Sequence, residues 1–219
     1  MKHRTYFRLP FTRLTLILLT FTIGMPAFAT NVTELQRGWA IANYTLEGDD
    51  QENGFEALIK QADEAVVLNP NNAELLIWQA IIKSTFAGKT SGFTALSLVK
   101  EARHSLEEAL EIDEAALHGS AYTSLGALYS SVPGWPIAFG SDKKARQLLE
   151  TAVKLNPTGI DSNYFYASFL VQEKEYGRAR AVLGKALRAD PRPGRELADE
   201  GRRKEIRLLL QQIPPRDEH

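Results

Sequence analysis

The sequence predicts an all-α protein built of stacked antiparallel helical hairpins, and three observations carry this. Gly and Pro fall almost wholly between long stretches rich in Ala, Leu, Glu, Lys and Arg, where apolar residues recur at helical spacing and no segment alternates as a strand would. One segment ending recurs, as Ala65-Val-Val-Leu-Asn-Pro70, Ala152-Val-Lys-Leu-Asn-Pro157 and Ala186-Leu-Arg-Ala-Asp-Pro191. Pro157 and Pro191 stand 34 residues apart, the length of one helix-turn-helix repeat.

In chain order, residues 1–29 read as a cleaved export signal. Lys2, Arg4, Arg8 and Arg13 precede an apolar run from Leu14 to Ile23, and Ala27-Phe28-Ala29 supplies a small-x-small cleavage site before Thr30. The uncharged stretch 14–29 has 16 residues, short of the roughly 20 that span a bilayer. The expected location is therefore the periplasm, without a stable membrane anchor after cleavage. The chain has no cysteine, which removes disulfides, thiol catalysis, zinc–thiolate sites and an acylated cysteine. Residues 1–29 hold four of the 26 basic and none of the 27 acidic side chains, leaving 22 against 27, a balance of −5. Such a surface does not suit nucleic acid.

Residues 30–193 are expected to form about four hairpins and 194–219 a C-terminal capping helix and tail. Asn31 with Glu34, and Asn71 with Glu74, have capping-box spacing and mark helix starts. The second helices show a small residue, a bulky one four later, Ala three after that and Pro five beyond. Ala145, Leu149, Ala152 and Pro157 fit, as do Ala179, Leu183, Ala186 and Pro191, with Tyr176 three before Ala179. Ala102, Leu106 and Ala109 form a copy with Glu114 in place of Pro, and Leu58, Ala62, Ala65 and Pro70 a weaker one. Ala lets antiparallel helices approach, Leu fills the space between them, and Pro stops the second helix where the chain turns. Tyr122, Leu125, Gly126 and Tyr129 mark a first helix.

This pattern resembles the tetratricopeptide repeat (TPR), and the resemblance implies a right-handed solenoid. Two second helices arrive late against it: Ala145 stands where 138 is expected, and Ala102 where 92 is expected. Both delays are expected to enlarge turns, which in solenoids collect on one face. The last helix, with Leu197, Ile206, Leu208, Leu209 and Leu210, would cap the stack and turn Arg202, Arg203 and Lys204 to water, laced by Glu196, Asp199, Glu200 and Glu205; the alternative is that these three bases and the segment Pro191-Arg-Pro-Gly-Arg195 pair with a carboxylate or an acidic partner.

The leading site candidate is the turn Pro133-Gly-Trp135-Pro-Ile-Ala-Phe139-Gly-Ser141. Trp135 and Phe139 either meet a partner or fold back to plug a hairpin end, with Ser141 capping the next helix. The run Tyr164, Phe165 and Tyr166 fans over about 200°, so at least one ring should face the groove or a neighbouring loop. The repeat register places Asp161, Tyr164, Ser168 and Gln172 on the concave surface, with Thr123, Ala127, Ser130 and Ser131 one repeat earlier and Glu74, Ile77, Ile81 and Thr85 before those. That lining carries little charge and suits a peptide or an apolar ligand.

Other chemistry is not written in the chain. Asp49-Asp-Gln-Glu-Asn53-Gly54 begins like a calcium loop, but Lys60 occupies the position of the bidentate Glu, so a polar turn is expected. His104 and His118 lack partners at metal spacing, and no nucleophile motif or phosphate loop appears. No enzyme, cofactor or metal is expected. Gly134-Trp-Pro-Ile-Ala-Phe-Gly140 before Lys143-Lys-Ala145, in an exported helical-repeat chain, resembles the T-component family of TRAP-type transporters. That resemblance implies a periplasmic accessory associating with a substrate-binding protein; its membrane-tethered members carry a lipid-attachment cysteine that is missing here. Two functions stay open: a scaffold or adaptor for a protein or peptide, and a carrier of a small apolar ligand between hairpins lined by Trp135, Phe139, Tyr164 and Tyr166.

Overall fold

The computed structural model describes residues 31–215; the export-signal reading of 1–29 and the extreme C-terminus lie outside them. Among the described residues nine helices and no strands are present: α1 (Val32–Tyr44), α2 (Gly48–Leu68), α3 (Ala73–Ala87), α4 (Gly92–Ile112), α5 (Ala116–Ser131), α6 (Asp142–Leu155), α7 (Ile160–Gln172), α8 (Tyr176–Leu187) and α9 (Glu196–Gln212). Consecutive pairs from α1/α2 to α7/α8 form antiparallel hairpins, and each hairpin stacks on the next, giving the expected helical-hairpin solenoid.

The repeat residues hold the hairpins as their spacing dictates. Ala102, Ala109, Ala145, Ala152, Ala179 and Ala186, with Leu106, Leu149 and Leu183, have no exposed surface. At Gly126 a Cβ would stand 2.7 Å from Leu149 Cγ, so α5 and α6 touch where the sequence offers no side chain. Asn31 and Glu34 form the reciprocal capping box, and Ser141 caps α6. A buried Lys83 ties α3 to both neighbours through Asp63 (2.8 Å) on α2 and Glu101 (3.0 Å) on α4. Burial alone would lower the Lys83 ammonium, but hydrogen bonds to those two carboxylates outweigh it and hold it above its ordinary value.

Three local expectations are corrected and a fourth holds. The cap of α3 is Asn72, whose side chain accepts from the Leu75 N–H, so the start lies one residue after Asn71. Asp49 to Gly54 lie inside α2, not in a polar turn, because the apolar face from Phe55 onward extends the helix backward. The delay before Ala102 lengthens α4, which begins at Gly92, and leaves only a short 88–91 turn. The delay before Ala145 does enlarge a turn, the 132–141 loop.

The largest departure is the C-terminal helix. The solenoid bends until its ends meet: the first helices of successive hairpins adjoin in the order α1, α3, α5, α7, α9, and α9 returns to α1. Ala198 joins the core formed around Leu35, Trp39, Phe55 and Trp78, while Ile206 and Ile213 join the core of the later hairpins. A methyl at Gly201 would stand 2.4 Å from Tyr44 Cε1, so this closure depends on a bare backbone.

Arg202 is accordingly buried (7% exposed), not solvated as a capping helix would leave it. Its Nε donates to Asp161 Oδ1 on α7 (2.7 Å), and an Arg192 Nη donates to Asp161 Oδ2 (2.7 Å). Arg192 also pairs with the buried Asp199 at 2.6 Å, and Arg202 pairs with Glu205. Burial would raise the Asp161 carboxyl, but Arg202 and Arg192 outweigh it and hold it well below the usual carboxylate range. The helical pattern of alternating charges thus links α9 to α7 instead of lacing an exposed face.

Two predictions follow from closure. Gly→Ala inside a helix ordinarily gains up to about 1 kcal/mol; Gly184→Ala on α8, where a new Cβ meets only Arg188 Nη1 at 3.5 Å, should do so. Gly201→Ala should instead lose about 1–3 kcal/mol in urea denaturation, the cost of overpacking. Asp161→Asn removes the one carboxylate shared by Arg192 and Arg202, leaving them with only Asp199 and Glu205, and should cost about 3 kcal/mol at neutral pH. Because the folded carboxyl titrates below its unfolded value, its stabilisation is complete above about pH 5 and drains away as acid is added. The gap between native and variant stability should therefore narrow steadily below about pH 4 in acid titrations.

Candidate functional site

Closing the ring frames a partly open cavity of about 710 Å³, lined by the inner faces of α1, α3, α5, α7 and α9, by Val99 of α4 and by the loops at the helix ends. Its apolar wall is built mainly by Trp39 of α1, Trp78 and Ile81 of α3, Val99 of α4, Leu117 and Leu128 of α5 and Phe165 of α7. The two indoles meet edge-on, with ring centres 5.9 Å apart, and Trp39 Nε1 donates to Thr85 Oγ1 at 2.9 Å. Leu117, His118 and Gly119 take successive left-handed conformations (φ 49°, 57° and 75°) at the start of α5. Such backbone is costly for residues other than glycine, and here Leu117 and His118 line the cavity.

The charged part of the lining gathers where the start of α9 meets α7, while neutral polar side chains such as Gln36, Ser84, Thr123 and Ser131 are spread over the wall. Asp161, Arg192 and Arg202 contribute through the ion pairs already described, and Arg195 stands at the start of the helix with its Cζ 4.9 Å from the centre of the Trp78 ring. Burial, then the charge of nearby Arg192, pull the Arg195 guanidinium below its ordinary value.

Of the residues singled out from sequence, Asp161, Thr123, Ala127, Ser131, Ile81 and Thr85 line the cavity. Ile77 is fully buried in the core, and Glu74 is exposed outside the cavity. On α7 the expected stripe ends after one turn. Tyr164 lies beneath Arg202, whose Cζ is 4.4 Å from its ring centre, so α9 covers it. Ser168 and Gln172 fall outside the lining, and Phe165 is the ring of its run that faces inward. Tyr166 is buried between hairpins, its hydroxyl donating to Glu150 and accepting from Arg178. Ser130 bonds the Ala127 carbonyl and does not reach the cavity.

The 132–141 loop divides its aromatics. Phe139 folds back, edge-on to Tyr129 at 5.3 Å, with Arg103 5.0 Å from its ring centre. Trp135 is 89% exposed. Beside it, Ile137 and Ala138 with Phe93 and Leu96 of α4 line a second, apolar depression of about 370 Å³, which shares Val99, Val132 and Pro133 with the large cavity. Phe93 is 92% and Ile137 67% exposed.

Sequence reasoning missed Trp39 and Trp78. Trp78 is three residues before Ile81, one helical step on the same face, which was the available signal; Arg195 reaches the site only through the return of α9.

The fold is that of known TPR proteins. TTC0263, a thermophilic TPR protein of Thermus thermophilus, is similar with a TM-score of 0.53 at 18% identity, covering 84% of this chain and 93% of that one. MamA (TM-score 0.44, 17% identity) covers 83% of this chain and 90% of that one. No curated protein sequence matches. The profile of the TRAP transporter T-component family matches residues 36–214, which takes in every helix but the first turn of α1. The chain belongs to the TRAP transporter T-component family.

Proposed function

We propose that this protein is a periplasmic accessory of a TRAP-type transporter that holds a small, largely apolar ligand inside its ring of hairpins and meets a protein partner of the same transporter at the cavity's aromatic lip. The observation that carries the reading is closure. An open solenoid offers an extended concave surface on which a peptide can lie; α9 spans that concavity and turns it into a chamber of about 710 Å³. Such a volume is typical of small-molecule sites, and a wall of two indoles, a phenyl ring and aliphatic side chains interspersed with Ser, Thr, Asn and Gln can hold such a ligand. Carriage suits the lining better than catalysis, since its two carboxylates, Asp161 and Glu205, are both tied to Arg202. No helix among the described residues is long and apolar enough to cross a membrane, and the expected export signal supports a periplasmic setting.

The adaptor reading survives at the lip. Large exposed apolar patches on a monomer mark sites of interaction; Phe93 and Ile137 form one at the depression beside the cavity, and the exposed Trp135 stands two residues before Ile137 in the same loop. A partner seated there would stand where ligand enters or leaves.

The carrier reading predicts that organic extraction of the protein purified from periplasm releases an apolar compound close to one per chain, read by mass spectrometry. Ala127→Trp, which fills the chamber from α5, should abolish that capture while the helical circular dichroism spectrum persists. A native protein that yields no such compound, and takes none up when offered decanol, would refute the reading. The lip reading predicts a separation within one loop. Phe139→Ala should cost about 2 kcal/mol, whereas Trp135→Ala should change stability by less than about 0.5 kcal/mol and weaken binding to the transporter's substrate-binding protein in calorimetry.

A further inference from the structure

The cavity is apolar along most of its wall, yet its polar end is not neutral, and the imbalance falls on one side chain. Four guanidiniums gather at α9, those of Arg192, Arg195, Arg202 and Arg203, against three carboxylates, Asp161, Asp199 and Glu205. Every ion pair among them uses Arg192, Arg202 or Arg203; none reaches Arg195. Its Nε is buried with no hydrogen-bond partner. The ring on which it lies, Trp78, is 4% exposed, and Trp78 Nε1 is likewise buried without a partner.

Both orphans are donors, and neither side chain can accept. Leaving buried donors unmet costs about 1–3 kcal/mol apiece, more for a charged group, so native proteins rarely do it without reason. The cheapest remedy is an oxygen that accepts from both and carries one negative charge. The fork of a guanidinium matches a carboxylate, which it can grip through two parallel bonds. The surplus is a single positive charge, which one monoanionic head neutralises and a dianionic phosphate would overshoot. The apolar side chains of the wall, Trp39, Ile81, Leu117, Leu128 and Phe165, set an apolar body for the remainder of the molecule, with neutral hydroxyls of α3 and α5 between them.

We infer that the chamber takes an amphipathic organic acid, with its carboxylate held by Arg195 beside the Trp78 indole N–H and its apolar body running along the wall toward Trp39 and Phe165. Arg195 sets the specificity for the acid head, and the inference rests on the carrier reading above. It also explains why Arg195 stacks on Trp78: the ring holds the guanidinium without consuming its donors.

Calorimetric titration of the delipidated protein with decanoate, decanol and decyl phosphate tests this. Decanoate should bind the native protein more than about tenfold tighter than decanol, the scale of one charged hydrogen-bonded pair, and tighter than decyl phosphate. Arg195→Met, which keeps an apolar stem over Trp78, should erase the preference for decanoate while decanol still binds, the mark of a cavity still intact. Arg195→Lys, which keeps the charge and loses the fork, should retain part of it. Equal binding of decanoate and decanol to the native protein, or a preference that persists in Arg195→Met, would overturn the acid-head assignment and leave the carrier reading standing. Tighter binding of decyl phosphate would assign the head to phosphate and overturn the carboxylate. Failure of all three probes to bind would remove both.

Discussion

The return of α9 to α1 is the constraint on which the rest of this molecule depends. A stack of hairpins has two ends, and each leaves an apolar face to be covered. Here one helix serves both: Ala198 completes the core of the first hairpins, and Ile206 that of the last. The contact needs a backbone bare at Gly201 to receive the Tyr44 ring, and a direction for the helix, which Asp161 provides by gripping Arg202 and Arg192 at once. Desolvation consumes much of the attraction within such a cluster. Its larger effect is on geometry, since only one placement of α9 against α7 satisfies both guanidiniums and leaves the Arg202 plane over Tyr164 and Phe165.

Closure also changes what the inner helices face. In an open array the residues one turn apart on each first helix would form parallel stripes along a groove. In the ring those stripes converge, and two tryptophans far apart in sequence, Trp39 and Trp78, come within edge-to-face contact across the chamber wall. The inner surface is thereby dried and narrowed while the outer hairpins keep the repeat geometry. The stacking interfaces and the ligand chamber are consequently separate layers: alanines and leucines of the second helices hold the first, and residues of the first helices form the second.

What could be read from the sequence follows the same division. The stacking layer is local, with a period and a small-residue code, and every alanine of the repeat pattern is buried where that code puts it. Asp161, Thr123, Ala127 and Ser131 followed from the register alone, as did the Ser141 cap and the alternative fates of Trp135 and Phe139, which the structure divides between them. Closure was not legible. Opposite charges at helical spacing on α9 read as an exposed helix, and the partner that buries Arg202 lies 41 residues earlier, on another hairpin. Tyr164, Ser168 and Gln172 were misjudged for the same reason, because their register assumed an open groove. The late position of Ala102 misled differently: it suggested an enlarged turn, whereas the added residues lengthen α4 from Gly92.

The two places where the chain exceeds its repeat length bear on function through where they meet. The added residues of the second hairpin prolong α4 at its start and bring in Phe93 and Leu96; those of the third form the 132–141 loop and bring in Trp135 and Ile137. Nothing in the stacking requires either, since the hairpins without them pack by the same code. Yet they adjoin at one edge of the ring and share Val99, Val132 and Pro133 with the chamber. Exposed apolar surface costs about 25 cal/mol per Å² relative to burial, so a stacking element under selection for stability alone would have folded all of these rings inward. Phe139 does fold inward, against Tyr129, and by anchoring the loop it holds Trp135 outward. Two additions to a repeat thus converge beside the large cavity, and neither the stacking nor the chamber alone requires them.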